Sequence, residues 1–243
     1  MDTDRYLEHL ARDSQALADA AEAAGPDAAV PTCPEWSVAD LLVHMVQGDL
    51  WARRIVESRS TERVLPEMPA DLPEGAALVP YFRAGARQLV EALASVAPDT
   101  SVWTFSAADR TAGFWQRRRA QETAVHRIDA QSAAGTLSPI DAELAVDGID
   151  EFLFVFIPRL AAGLADLGDA TIHLHCTDGE GEWLIARAGD DVVVTRKHAK
   201  GDVAARGTAS DLLLFLWGRV PATSLEMFGD AAVLDRFRNA IRV

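Results

Sequence analysis

"SVADLLVHMVQGDLWARRIVES", residues 37–58, carries a helix start and a helix period in one stretch. Val38, Leu41, Leu42, Met45 and Val46 recur at helical offsets. Ser37 stands just ahead of them, and Asp40 follows three positions later, which resembles a capping box with Asp in place of the usual Glu or Gln. The pattern predicts a helix from this cap to about Ser58.

Upstream, residues 3–24 are rich in Ala, Leu and Glu, with Tyr6, Leu7, Leu10, Leu17 and Ala21 at helical spacing. "GPDAAVPTCPEW" (25–36) then breaks the pattern with Pro26, Pro31 and Pro34. Downstream, "LPEMPADLPEG" (65–75) leads to a third helical pattern through Leu78, Tyr81, Phe82, Leu89, Leu93 and Val96. A loop at 97–113 precedes a fourth, near Phe114 to Ala134. Four helices of about 20 residues joined by loops predict an up-and-down bundle over residues 1–136.

After "AAGTLSP" (133–139) the architecture changes. Ser138 as cap and Pro139 at the first helical position predict a helix that Pro158 ends or kinks. "ATIHLHCTD", "EWLIARAG" and "DVVVTRKH" read as short strands, separated by "GEGE" (179–182) and "GDD" (189–191) turns. "TASDLLLFLWGRV" and "DAAVLDRFRNAI" read as helices on that sheet, so residues 137–243 form a small α+β domain.

A chain of 243 residues, 49% hydrophobic and 25% charged, has the composition of a globular protein with a sizeable core. Its net charge of −14 repels polyanions, no basic arm interrupts that field, and nucleic acid is excluded as a partner. The opening "MDTDRYLEHLARD" has no apolar signal region, and "FLFVFIP" (152–158), the richest apolar run, is far too short for a membrane span. Cys33 and Cys176 match no zinc-knuckle spacing and read as reduced thiols. A soluble cytoplasmic protein is expected; its oligomeric state is not legible.

In "QETAVHRIDAQ" (121–131), Glu122 and His126 stand four apart, so both fall on one helix face about 5–6 Å apart at Cβ. The same stripe carries Trp115, Arg119, Asp129 and Ala133. Such a pair is equally an ordinary exposed helix pair; what adds to it is His44 on the second helix, which in a bundle can face the fourth. Two imidazoles and one carboxylate make a three-ligand site with an open position, the arrangement of catalytic zinc. Asp129 and Asp40, each one turn from a candidate imidazole, are candidate acceptors of a ring N–H. His173 and His175 alternate onto one strand face without a third ligand at suitable spacing, which reads as a half-exposed strand; His9 and His198 show no pattern.

"CPEWSVADLLVHM" (33–45) followed by "WQRRRAQETAVHRIDAQ" (115–131) resembles the mycothiol-dependent maleylpyruvate isomerase family, within the DinB-like metal-binding superfamily. "ASDLLLFLWGRVP" and "LEMFGDAAVLDRF" resemble that family's carboxyl-terminal domain, which is similar to sterol-carrier folds. The resemblance implies a divalent metal, most often zinc, held by His44, Glu122 and His126. It also implies an Arg that meets the substrate's carboxylates, best matched by Arg219, although an Arg there also suits capping of helix-end carbonyls. Arg118 and Arg119 read either as anion contacts at the cavity mouth or as solvated charges.

The resemblance further implies mycothiol or a similar small thiol as cosubstrate and a small carboxylated electrophile such as maleylpyruvate as substrate. Thiol transfer or metal-dependent hydrolysis would use the same site. A reading from another class is a metal-stabilised carrier of small apolar molecules, with Leu174, Leu184, Ile185, Val192 and Val194 lining its pocket.

Overall fold

The structure, a computed structural model, describes residues 1–189 and 191–241. It divides into two compact units, Met1–Ser138 and Pro139–Val243. The first is built on α1 (Thr3–Ala24), α2 (Val38–Ser58), α3 (Leu78–Ala94) and α4 (Ala112–Ala134), the expected helices of the bundle.

The capping box at α2 is real: Ser37 Oγ accepts from the Asp40 amide at 3.2 Å, and an Asp40 oxygen accepts from the Ser37 amide at 2.9 Å. Ahead of it the proline-rich loop folds back on itself, the Val30 amide donating to the Trp36 carbonyl and the Val38 amide to the Ala28 carbonyl. That loop thereby presents Thr32, Cys33 and Trp36 beside α4. The bundle core is apolar where α1, α2 and α3 meet, with Leu17, Leu41, Leu42, Met45 and Phe82 fully buried.

Helix α4 departs from the amphipathic plan. From Ala112 to Gln131 every residue is buried except the half-buried Gly113, Arg117 and Glu122. Its polar side chains are therefore buried too, and a buried charge is tolerated only where it is paired. Arg127 meets Asp13 at 3.4 Å and donates to Gln131 at 2.7 Å; Arg119 meets Asp49 at 2.5 Å. The solvated-charge reading of Arg118 and Arg119 is corrected, since both are buried. Gly48 makes this packing feasible: a Cβ there would stand 2.5 Å from the Arg119 guanidinium.

In the second unit, α5 (Ala142–Glu151) begins later than Ser138 and Pro139 predict, because Asp141 supplies the cap, accepting from the amides of Glu143 and Leu144. Ser138 instead hydrogen-bonds Arg127 and Gln131. Residues 152–156 widen into a π-turn before α6 (Ile157–Leu160), so Pro158 falls in a first turn, where its missing N–H costs nothing.

Among the described residues the sheet has the order β3-β2-β1-β4-β5. The three expected strands are β1 (Ile172–Cys176), β2 (Glu182–Ala188) and β3 (Asp191–Thr195); the middle residue of the expected "GDD" turn, Asp190, lies outside the described residues. Two further strands, β4 (Val203–Gly207) and β5 (Glu226–Gly229), extend the sheet, β4 running parallel to β1. Gly229 has φ +93°, and a Cβ there would stand 2.1 Å from the Asp202 carbonyl oxygen, a close approach only glycine permits. Helices α7 (Ala209–Leu216) and α8 (Ala231–Ala240), capped by Thr208 and Asp230, complete an α+β unit. Leu174 and Ile185, named above for a carrier pocket, are buried in the core, as is Trp183. No helix among the described residues is long and apolar enough to cross a membrane.

Candidate metal centre

His44 on α2 and Glu122 and His126 on α4 converge: one ligand atom from each lies within 4.8 Å of the other two. His44 Nε2 is 3.3 Å from Glu122 Oε1, and the two imidazole rings stand 4.8 Å apart at an angle of 64°. Trp36, delivered by the loop ahead of α2, stacks on His126 at 6.0 Å and lies tilted over His44 at 5.0 Å, which limits how either ring can turn.

The His126 ring is also held from behind. Its Nδ1 is 2.8 Å from Asp129 Oδ2, leaving Nε2 as the nitrogen available to a ligand. Asp129 is fully buried and accepts a 2.6 Å hydrogen bond from Thr32 Oγ1 and a 3.6 Å one from the Cys33 thiol. Burial lowers the pKa of His126 despite the opposing Asp129, so its imidazole is neutral near pH 7, the ligating form. Asp40 does not take the corresponding role toward His44, because its carboxylate is spent on the capping box.

Glu122 meets the opposite balance. Burial alone would raise its pKa, but Arg119, Arg118 and a hydrogen bond from His44 outweigh it and hold the carboxyl well below the usual range. Arg119 donates to Glu122 Oε2, and Arg118 Nε stands 3.6 Å from the same oxygen, while Oε1 faces His44. Arg119 also binds Asp49, whose burial raises its pKa against the pull of that guanidinium. One buried cation therefore serves two carboxylates. Sequence reading missed Asp49, because nothing in "QGDLW" marks it as facing α4, and it missed Thr32 and Cys33 as supports of Asp129.

The side chain of His44 is 38% exposed and that of Glu122 18%, so the cluster is reachable from solvent on the α2 side. A donor set of two imidazoles and a carboxylate, one imidazole oriented by a buried Asp, fits a divalent transition metal with room for an exogenous ligand. Arg219, in the second unit, directs Nη1 to the Trp217 carbonyl at 2.7 Å, a contact of the helix-capping kind, just past the end of α7. Cys33 and Cys176 form no disulfide.

A family model described as "Mycothiol maleylpyruvate isomerase N-terminal domain" matches residues 7–131, and one described as "MDMPI C-terminal domain" matches residues 143–236. Among solved structures the chain is similar in fold to a His-to-Ala mutant of mycothiol-dependent maleylpyruvate isomerase, with 12% identity and a TM-score of 0.59 over 93% of this chain and 93% of that one. A "UbiJ-SCP2 Ubiquinone synthesis protein" is matched over 43% of this chain and 93% of its own, with 18% identity and a TM-score of 0.32. No curated protein matches the chain.

Proposed function

Because the chain belongs to the mycothiol maleylpyruvate isomerase family, we propose that it is a metal-dependent isomerase of that kind, which uses a small thiol such as mycothiol on a carboxylated electrophile such as maleylpyruvate. The observation that carries this reading is the convergence of His44, Glu122 and His126 at a face open to solvent. In this reading residues 1–136 act as the metal-binding bundle and residues 137–243 as a second, α+β domain, which carries Arg219.

His44, Glu122 and His126 would hold a divalent ion, zinc by preference for this donor set, which would supply the Lewis acidity that favours the thiolate form of a small thiol at neutral pH. The chain's own residues orient and balance charge. Asp129 fixes the His126 ring, Trp36 confines both imidazoles, and Arg119 with Arg118 keeps Glu122 ionised. Isomerisation then needs no net redox change: a thiolate electron pair forms a C–S bond at the cis double bond, and the displaced π pair moves onto the conjugated carbonyl. Rotation about the resulting single bond and expulsion of the thiolate restore the double bond as trans.

The reading is tested by incubating the full chain with maleylpyruvate, with and without mycothiol, and following the cis and trans forms. Conversion that requires the thiol supports it. Conversion to hydrolysed products without thiol assigns the site to metal-dependent hydrolysis, and no turnover of either kind removes the enzymatic reading.

Arg219→Ala is expected to lower kcat/KM for the dicarboxylate by about 10-fold or more, the scale of losing a charge-assisted hydrogen bond, with metal content kept. Unchanged kcat/KM would leave Arg219 as a helix-end cap. Asp129→Asn is expected to weaken metal retention about 10–100-fold, as loss of the group behind a ligating imidazole does, measured by competition with a chelator. Unaltered retention would assign Asp129 a packing role.

A further inference from the structure

The second unit carries another convergence of donors, which the sequence disperses. His173 and His175 lie on one face of β1; Glu182 opens β2 in register with His175; His198 follows the end of β3. Ligand atoms of all four lie within 4.8 Å of one another. His198, which shows no pattern in the sequence, is brought in by the β2–β3 hairpin, and the third ligand that the linear spacing lacks is Glu182 on the adjacent strand.

Glu182 is the hub. His175 Nδ1 stands 3.0 Å from Oε1, while His198 Nδ1 and His173 Nε2 stand 2.6 Å and 3.3 Å from Oε2. The rings of His173 and His198 are 5.7 Å apart at 89°, and those of His173 and His175 6.0 Å apart at 64°. Three imidazoles thus crowd one carboxylate with two oxygens. Ordinary strand chemistry accounts for one cross-strand His–Glu pair; it does not account for three ring nitrogens turned inward to the same group. A tetrahedral site with bonds of about 2.0–2.1 Å separates its donors by about 3.3 Å; the His173–Glu182 distance equals that at 3.3 Å, and the His175 and His198 nitrogens, hydrogen-bonded to Glu182 at 3.0 and 2.6 Å, need only move slightly apart to reach it.

We propose that His173, His175, Glu182 and His198 form a second divalent transition-metal site, confined to the C-terminal unit and distinct from the bundle's cluster. Three imidazoles and a carboxylate favour zinc, nickel or copper over magnesium or calcium, which take oxygen ligands. Zinc matches the four-donor set. The ion would tie the chain after β3 to β1 and β2. Access is open: His198 is 82% exposed, and a cleft of about 350 Å³ lined by His173, His198, Gly201, Ala204 and Phe228 lies alongside.

The test uses the full chain with His44→Ala and His126→Ala, so that the bundle's cluster cannot contribute, stripped with chelator, reloaded with zinc and dialysed. Elemental analysis is expected to find about one zinc per chain, following the one-ion logic of four protein donors. Adding His198→Ala or His175→Ala is expected to abolish that retention with far-UV circular dichroism unchanged. His198 is exposed enough that its loss leaves folding intact. No retained zinc in the parent double variant, or retention undiminished by both further substitutions, overturns the proposal. Because the bundle's cluster is disabled throughout, the result is independent of whether the chain isomerises anything.

Discussion

His126→Ala is expected to release about one divalent ion per chain and to abolish thiol-dependent turnover, with the fold kept. The side chain is largely buried, 10% exposed against the fully buried Asp129, so truncation also costs some stability, and far-UV circular dichroism checks that the fold is kept. What truncation removes is one of only three protein donors. The other two, His44 and Glu122, cannot hold a catalytic ion alone, since a site with an open position needs three protein ligands to keep its metal. His44→Ala should behave in the same way. For the carboxylate the informative change is Glu122→Gln, which keeps the volume and a neutral partner for Arg119, whereas Glu122→Ala would also remove the side chain that Arg118 and Arg119 both meet. Elemental analysis of the three variants beside the parent, and assay of each with thiol and substrate, checks the prediction. Undiminished metal in all three would place the ion elsewhere, and full turnover in variants that have lost the bundle's ion would end the metal-dependent reading.

Much of this arrangement is legible in the sequence because it depends on local rules. The α2 cap needs only Ser37 and Asp40; the convergence on α4 needs only the four-residue spacing of Glu122 and His126; the bounds of α1 and α2 follow from proline-rich breaks and the apolar period. What sequence reading misses is set by tertiary pairing. Arg118 and Arg119 look like surface charges because a sequence shows no partner, and Asp49, the partner that lets Arg119 be buried, is 70 positions away. β4, "VAARG", and β5, "EMFG", have little strand propensity of their own and are strands because β1 and then β4 offer them a ladder. His198 is silent for the same reason: register, not spacing, carries it to Glu182.

Arg119→Met is expected to destabilise the bundle by about 3–5 kcal/mol, the cost of removing one partner from a buried ion pair, read as a lower urea midpoint of the metal-free chain. Its side chain is 2% exposed and that of Asp49 6%, so screening by solvent offers little relief. Methionine fills much of the same volume, so the loss reports on charge. It leaves Asp49 buried with no cation against it and deprives Glu122 of its largest favourable charge. The effect should also depend on pH in a fixed direction. In the parent chain Glu122 has its pKa depressed, so the stability it contributes is present above its ordinary value near 4.5 and is lost as pH falls through the lower folded value. The gap between parent and variant should therefore be widest near neutrality and narrow in acid. A second substitution separates charge from packing: Asp49→Asn in the Arg119→Met background removes the stranded carboxylate and should recover about 1–3 kcal/mol, whereas Asp49→Asn alone should destabilise. If the two substitutions are instead additive, Asp49 and Arg119 are not coupled, and the charge balance assigned to Glu122 loses its basis, because the guanidinium that holds it ionised is the same one that Asp49 anchors.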